Sequence, residues 1–208
     1  MNPFNVVRDF ERAVADYAGA SFGVATTSCT MALLLACAWF RYRDGPTTVS
    51  IPKRTYVGVP MSIINAGHKV EFRDQEWSGG YRLEPLPVWD SARWLTSGVH
   101  LKGQMTCLSF HWRKHLGISQ GGMILLDDFE AVEWLRRARF DGRREGVSPK
   151  DDTFDFVGWH AYLTPAVAAE GLVRLAMLPS YNDPLPNDDY PDLSLMPVFG
   201  AEKPTPTG

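Results

Sequence analysis

A basic block in the second half of the chain holds the residue best suited to covalent chemistry. The block is SFHWRKHLGISQGGMILLDD, residues 109–128, and its lysine, Lys114, stands between Arg113 and His115. A lysine amine held in its neutral form attacks carbonyl groups and carries protons. Positive charge on Arg113 or His115 favours that neutral form. Lys114 is therefore a candidate for a residue that forms a Schiff base.

Other side chains that could bind a ligand or take part in a reaction follow short apolar segments. They are Cys29, Thr30, Tyr56, Asp90, Arg93 and Ser109. The amides at the start of a helix beside Thr30, and the Ser109 hydroxyl, suit a phosphate. Asp90 can pair with a protonated ring nitrogen, and Tyr56 offers an aromatic face. An amine, an acid, a phosphate cradle and an aromatic face are together what pyridoxal 5′-phosphate (PLP) requires of a protein.

Strands and helices alternate along the chain and predict an α/β fold. The predicted strands are 22–26, 48–51, 69–72, 87–89, 105–110 and 123–126, and the predicted helices are 6–18, one capped at 27–30 and ending near 42, 58–66, 128–138 and 164–178. The strands are apolar on both faces, which predicts a mainly parallel sheet sandwiched by helices. Ligands of such sheets bind at the carboxyl ends of the strands, where the candidate residues lie. We expect one domain over residues 1–178 and an extended tail, rich in Pro and Asp, over 179–208.

Composition excludes several classes of function. A chain of 208 residues with 45% hydrophobic content can bury a substantial core. Its 21 basic and 24 acidic residues are interspersed, so no surface for nucleic acid is expected. The longest apolar run, residues 31–40, is too short to cross a membrane. Its three cysteines lack metal-binding spacing, so we expect free thiols, no metal site and a cytoplasmic location.

The order and spacing of these segments resemble one family, the DegT/DnrJ/EryC1/StrS sugar aminotransferases, which are fold type I PLP-dependent enzymes. The resemblance runs from about residue 10 to residue 178. Its strongest part is the block 109–128, which is similar to the family's Ser-Phe pair, a lysine soon after and a Gly-Gly pair before a strand. The resemblance implies that Lys114 is the Schiff-base lysine and that Ser109 binds the cofactor phosphate.

Two further segments resemble the family's phosphate cradle and ring-stacking position. VATTSCTMALLL, residues 24–35, is similar to a Ser-Gly-Thr motif before an apolar helix, with Cys29 in place of the glycine. This implies that the amides of Cys29 and Thr30 receive the phosphate. IPKRTYVGVP, residues 51–60, is similar to a proline followed by a Thr-aromatic pair, which implies that Tyr56 stacks on the cofactor ring.

Two other segments resemble family segments, one that binds the ring nitrogen of the cofactor and one that contacts the partner subunit. VWDSARWL, residues 88–95, implies that Asp90 pairs with the pyridine nitrogen, and Arg93 replaces a Gln or His beside the ring hydroxyl. In DFVGWHAYLTPAVAAEGLVRL, residues 155–175, His160 replaces an asparagine that reaches the partner subunit's phosphate. The resemblance therefore implies a homodimer with shared active sites.

The activity implied by the resemblance is transamination from an amino acid such as glutamate to a keto-sugar nucleotide. In the family a C-terminal domain follows this region and closes over the substrate, and the chain is too short to contain it. One alternative is a PLP enzyme acting on a modified nucleotide. Another is a non-catalytic scaffold subunit, since Cys29, Arg93 and His160 all depart from the family pattern.

Overall fold

A computed structural model describes residues 4–200. The helices and strands in chain order are α1 (Asn5–Ala18), β1 (Phe22–Thr26), α2 (Cys29–Asp44), β2 (Thr48–Pro52), α3 (Gly58–Asn65), β3 (Lys69–Arg73), β4 (Tyr81–Arg82), β5 (Val88–Asp90), β6 (Met105–Ser109), β7 (Gly122–Leu126), α4 (Phe129–Ala138) and α5 (Pro165–Leu175). The predicted end of the tail, residues 201–208, lies outside the described residues.

The central sheet has the strand order β1-β7-β6-β5-β4. Only β5 and β6 pair in parallel, whereas β1 with β7, β7 with β6, and β4 with β5 are antiparallel. A separate parallel pair joins β2 and β3. The α/β fold is thus confirmed, but the prediction of a mainly parallel sheet was wrong.

The reversed direction of β7 explains most of this error. It follows β6 through residues 110–121, which contain no helix, and parallel neighbours normally need a helical crossover. β7 is buried along its whole length, so its sequence, GMILL, is apolar on both faces like that of a parallel strand. Burial on both faces, and not strand direction, produced the apolar pattern.

Helices cover both faces of the sheet, as the sequence predicted. Ile124 and Leu126 of β7 belong to the core cluster that contains α2 and part of α4. Met123 and Leu125, which alternate with them, belong to the cluster that contains α1 and part of α5. The alternation along one strand therefore divides the core into two layers.

An ionic cluster ties α1 to α4 inside the protein. Glu11 of α1 is 2% exposed and accepts hydrogen bonds from the buried guanidinium of Arg139 and, at 3.0 Å, from the amide of Ala25. Arg139 also donates to Glu145 at 3.0 Å. These bonds satisfy a buried carboxylate and a buried guanidinium together, which either group needs in order to remain charged.

The described part of the tail is an ordered segment that returns across the domain. We call residues 179–196 the strap. Its backbone is bound near its start, where the Ser97 amide donates to Ser180 at 2.9 Å, and near its end, where the Leu193 amide donates to Lys53 at 2.9 Å. Between these points the Leu185 amide donates to Arg93 at 2.9 Å. Residues 179–192 of the strap form no helix or strand, and hydrogen bonds fix the strap to the domain.

Candidate active site

A cavity of about 760 Å³ lies at one edge of the central sheet. Seven of the eight residues singled out from the sequence line it: Cys29, Thr30, Tyr56, Asp90, Arg93, Ser109 and Lys114. They follow the carboxyl ends of β1, β2, β5 and β6. Because β7 runs in the opposite direction, its first residues reach the same edge. The volume is ample for a cofactor of PLP's size.

The amino end of α2 forms one wall of this cavity. Ser28 caps the helix, and its hydroxyl accepts from the Met31 amide at 3.1 Å. The amides of Cys29 and Thr30 precede the helix's first intrahelical donors, so they are available to an anion. Among residues 4–200 the only non-glycine residue with positive φ is Asp141, so Cys29 fits this turn without the conformation that favours glycine.

The Gly-Gly pair of the lysine block has a steric role beside this helix end. A Cβ atom on Gly122 would lie 2.4 Å from the Ser28 carbonyl carbon and 2.5 Å from the Cys29 nitrogen. Only glycine lets β7 begin this close to the amino end of α2. The pair therefore links the lysine loop to the predicted phosphate cradle.

Asp90 ends β5 and is 5% exposed. Its partners are neutral: the Ala92 amide donates at 2.9 Å, the Tyr81 hydroxyl at 3.2 Å, and the Cys29 thiol lies 4.0 Å away. Burial raises the pKa of Asp90, although the Ala92 amide, the Tyr81 hydroxyl and the charges of Lys114 and Arg93 oppose the rise. A cationic ring nitrogen is the kind of partner that such a carboxylate lacks.

Tyr81 was missed in the sequence because β4 is only two residues long. Its hydroxyl is hydrogen-bonded to the Thr55 hydroxyl as well as to Asp90, and the side chain is buried. Burial, followed by the negative charge of Asp90, raises the pKa of Tyr81 well above its ordinary value. It therefore stays protonated and donates to the carboxylate.

Lys114 lies half-buried in the loop after β6, where its amide donates to the His111 carbonyl at 2.8 Å. Burial and then the positive charge of Arg93 lower the pKa of Lys114, against the opposing charges of Asp188 and Asp90. The lowered pKa agrees with the sequence-based expectation. Its electrostatic source does not, because Arg93 acts in place of Arg113 or His115.

Arg93 lines the cavity, but the strap holds its guanidinium. Nη1 donates to the Asp188 carboxylate at 2.9 Å and to the Tyr190 hydroxyl at 3.3 Å, and Nη2 donates to the Pro186 carbonyl. These strap residues also line the cavity. Sequence reasoning named none of these residues, because they belong to no motif that marks a binding site.

Ser109 and Tyr56 also line the cavity. Ser109 ends β6, and its hydroxyl accepts a long hydrogen bond of 3.5 Å from the His111 amide. Tyr56 is 55% exposed, and a Cβ atom on Gly58 would lie 2.6 Å from its ring. Because Gly58 has no side chain, the Tyr56 ring can lie against the start of α3.

His160 is the predicted residue that does not line this cavity. It is exposed, its Nδ1 lies 2.9 Å from the Asp141 carboxylate, and its ring packs edge-on against Tyr162 at 4.7 Å between centroids. The prediction that it serves a partner subunit's site is untouched by this geometry and stays a prediction.

Three further findings concern membrane crossing, metal binding and the cysteines. No helix within residues 4–200 combines the length and apolar character needed to cross a membrane. In the same residues no group of three or more His, Cys, Asp or Glu is placed to hold a metal ion. Cys29, Cys37 and Cys107 are free and buried.

The model of the DegT/DnrJ/EryC1/StrS aminotransferase family matches residues 2–80 and 92–184. The chain belongs to this family, whose members are PLP-dependent. The matched segments contain seven of the eight predicted residues; Asp90 falls between them. The groups that line the cavity fit this cofactor: they are a lysine, a buried acid, a hydroxyl and the amino end of a helix.

Solved structures of sugar aminotransferases have a similar fold. CalS13 from Micromonospora echinospora is 18% identical with a TM-score of 0.68, covering 83% of this chain and 61% of its own. DesI, solved in the presence of its TDP-sugar product, is 23% identical with a TM-score of 0.62, covering 83% and 53%. Spr1654 from Streptococcus pneumoniae, in its PMP form, is 18% identical with a TM-score of 0.67, covering 84% and 59%.

The chain spans about half to three fifths of the length of these structural neighbours. A comparison with curated proteins gave no match.

Proposed function

We propose that this protein transfers an amino group from an amino acid such as glutamate to a keto-sugar nucleotide, with PLP bound at Lys114. The observation that carries the proposal is the placement of the half-buried Lys114 and the buried Asp90 on the same cavity as the amino end of α2. A second, smaller cavity, of about 310 Å³, is lined by Asp127 and Asp128 but by no lysine.

Different residues around the cavity bind different parts of the cofactor. The amides of Cys29 and Thr30 and the hydroxyl of Ser109 bind its phosphate. Asp90 pairs with the ring nitrogen and keeps it protonated. Tyr56 covers one face of the ring from the cavity mouth.

Arg93 stands where the family has a Gln or His beside the ring hydroxyl. In this chain its guanidinium acts on Lys114 through charge and is anchored by the strap. Arg93 would therefore place a permanent cation near a bound cofactor's ring hydroxyl, where the family has a neutral or titratable group.

Lys114 is the residue that we assign to covalent attachment of the cofactor and to proton transfer. Bound PLP supplies an aldehyde and a ring that stabilises negative charge on the neighbouring carbon. The Lys114 Nζ atom would hold the aldehyde carbon covalently, with loss of water, and, once the amino donor had taken its place, would accept a proton from the donor carbon and return it to the cofactor. Its lowered pKa increases the fraction of amine that is neutral and able to accept that proton.

The acceptor and the dimer belong to the same proposal. The TDP-sugar product of DesI supports a nucleotide sugar as acceptor, and family membership supports a homodimer in which His160 reaches the partner's phosphate. His160 is exposed and so available to another subunit. The strap contributes residues 185–188 and Tyr190 to the cavity lining and would help to exclude water from it.

Absorbance spectroscopy tests the cofactor assignment. We expect added PLP to give a visible band that borohydride reduction abolishes and that Lys114→Ala never forms. Lys102→Ala, at an exposed lysine outside the cavity, is the matched control and should keep the band. Absence of a band in the unaltered protein would favour the scaffold alternative.

A half-reaction separates transamination from other PLP chemistry. Glutamate added to the loaded protein should convert the bound cofactor to its amine form and release 2-oxoglutarate. A keto-sugar nucleotide should then restore the original band. If no common amino donor causes the conversion, PLP binding stands and transamination fails.

A further inference from the structure

A carboxylate of the strap lies between two arginines at the mouth of the cavity. The Asp188 carboxylate is 2.9 Å from Nη1 of Arg93 through one oxygen and 3.4 Å from Nη2 of Arg113 through the other. Arg113 immediately precedes Lys114 in the chain. The arginine pair therefore faces the same space as the reactive amine.

Arg93 has unused binding capacity. Its side chain is only 9% exposed, and its Nε atom is buried without a hydrogen-bond partner among the described residues. A guanidinium presents its donors as a planar fork that matches carboxylates. An unpaired buried donor on a residue that lines a cavity indicates a ligand that completes the set.

Asp188 is a replaceable partner in this arrangement. Its side chain is 42% exposed and that of Arg113 is 59% exposed, so solvent and small solutes reach the ion pair. Arg93 keeps the Pro186 carbonyl and the Tyr190 hydroxyl as further acceptors when the carboxylate leaves. The pair with Arg113 is exposed and contributes little to stability, and the incoming carboxylate replaces the counter-charge that the buried Arg93 loses.

We propose that Arg93 and Arg113 form a binding site for a substrate carboxylate, and that Asp188 occupies it until an amino or oxo acid displaces it. The carboxylate class of ligand rests on the proposed function, since transamination needs an amino-acid donor and releases an oxo acid. The strap thereby acts as a built-in competitor that closes the mouth between turnovers.

Competition from a tethered group sets the expected affinity. A segment fixed at both ends presents its carboxylate at an effective concentration of about the millimolar range. A free carboxylate must overcome this competitor, so its apparent affinity falls by the fraction of protein in which the site is open. Removal of the Asp188 charge should therefore strengthen carboxylate binding.

Calorimetric titration with glutarate, a dicarboxylate with no reactive group, tests the site in the full-length protein without PLP. We expect Asp188→Asn to bind glutarate about tenfold or more tightly than the unaltered protein. Asp189→Asn is the matched control, because Asp189 is exposed and the same charge is removed one residue away. It should bind like the unaltered protein.

Arginine substitutions locate the site. In the Asp188→Asn background, Arg113→Gln should weaken glutarate binding about tenfold, and, since Arg113 is exposed, without loss of folding. Arg93→Lys, checked for folding by circular dichroism, should weaken it further because an ammonium lacks the planar fork.

Three results would overturn the proposal: equal affinity in Asp188→Asn and Asp189→Asn, no effect of the arginine substitutions, or pyrophosphate binding that is tighter than glutarate binding and that the same arginine substitutions weaken. The last would assign the arginines to a phosphate group of the acceptor. Because these titrations contain no PLP, their failure is distinct from failure of the cofactor assignment, which the absorbance band reports.

Discussion

The Tyr81 hydroxyl donates a hydrogen bond to the Asp90 carboxylate at 3.2 Å, and both groups are buried. This bond lowers the pKa of Asp90 against the larger rise that burial causes. Tyr81 is thus a positioning residue: it keeps charged the carboxylate that the proposed function assigns to the ring nitrogen.

Tyr81→Phe should weaken PLP binding about tenfold, since hydrogen bonds to charged groups are worth about 1.5–3 kcal/mol. It should also raise the pKa of Asp90 further, so the loss of PLP affinity on acidification should begin at a higher pH than in the unaltered protein. PLP titrations across a pH series measure both effects. Tyr42→Phe, at an exposed tyrosine, should change neither; a purely structural role for Tyr81 would lower affinity equally at every pH.

Arg93 should set the pH dependence of PLP attachment at Lys114. Its positive charge lowers the pKa of Lys114, second only to burial, so Arg93→Gln should raise that pKa. The rise of attachment rate with pH, which follows the neutral amine, should therefore move to higher pH. Stopped-flow absorbance across a pH series provides the measurement.

Arg113→Gln distinguishes this source of charge from the one expected from the sequence. Arg113 is not among the main causes of the lowered pKa of Lys114. The attachment rate of the Arg113→Gln variant should therefore depend on pH much as that of the unaltered protein does. A shift as large as that of Arg93→Gln would contradict the geometry and restore Arg113 to the role that sequence proximity suggested.

The contrast between Arg113 and Arg93 shows what the sequence could predict and what it could not. Lys114, Asp90, Ser109 and the start of α2 were predictable because each belongs to a local motif placed at a strand end or helix end. The direction of β7 was not, since burial on both faces gives the same apolar pattern in either direction. Contacts between distant segments leave no local pattern either.

The strap is the clearest case of such a distant contact. Its composition predicts an extended tail, but not that Asp188 contacts Arg93, which lies 95 residues earlier in the chain. Nothing in the spacing of prolines and aspartates specifies that partner. Tyr81 was missed for a related reason, because its partners Thr55 and Asp90 lie on other strands or loops.

Gly122→Ala should damage the phosphate cradle. The added methyl group would lie 2.4 Å from the Ser28 carbonyl carbon, so β7 or the start of α2 must move. We expect the free energy of unfolding to fall by about 1–3 kcal/mol. The loss of PLP affinity should be larger than this reduced stability alone would cause. Urea unfolding and PLP titration measure the two effects.

Gly146→Ala is a control for the backbone cost of losing a glycine. Gly146 has a φ of +81° and open space around its Cβ position, so alanine there strains the backbone without a collision. It should cost about 1 kcal/mol and leave PLP affinity unchanged. An equal loss of affinity in both variants would mean that Gly122 has no specific role at the helix end.

The buried Glu11–Arg139 pair should govern acid stability. Burial alone would raise the pKa of Glu11, but the charges of Arg139 and Arg8 and the Ala25 amide bring it below its ordinary value. A carboxylate with a depressed pKa stabilises the fold above its unfolded pKa of about 4.3, and this contribution disappears as the pH falls through the folded value. The free energy of unfolding should therefore fall as the pH drops below about 4.3.

Glu11→Gln should cost about 3–5 kcal/mol near neutral pH, because it leaves the buried Arg139 without its main counter-charge. It should also flatten the acid part of the stability profile. Glu133→Gln, which breaks an exposed pair with Arg136, should cost less than about 1 kcal/mol and keep the profile. Urea unfolding at a series of pH values compares the three proteins. If the Glu11 variant kept the unaltered protein's acid dependence, another carboxylate would have to be its source, and Asp127, whose pKa is also depressed, would be the next to substitute.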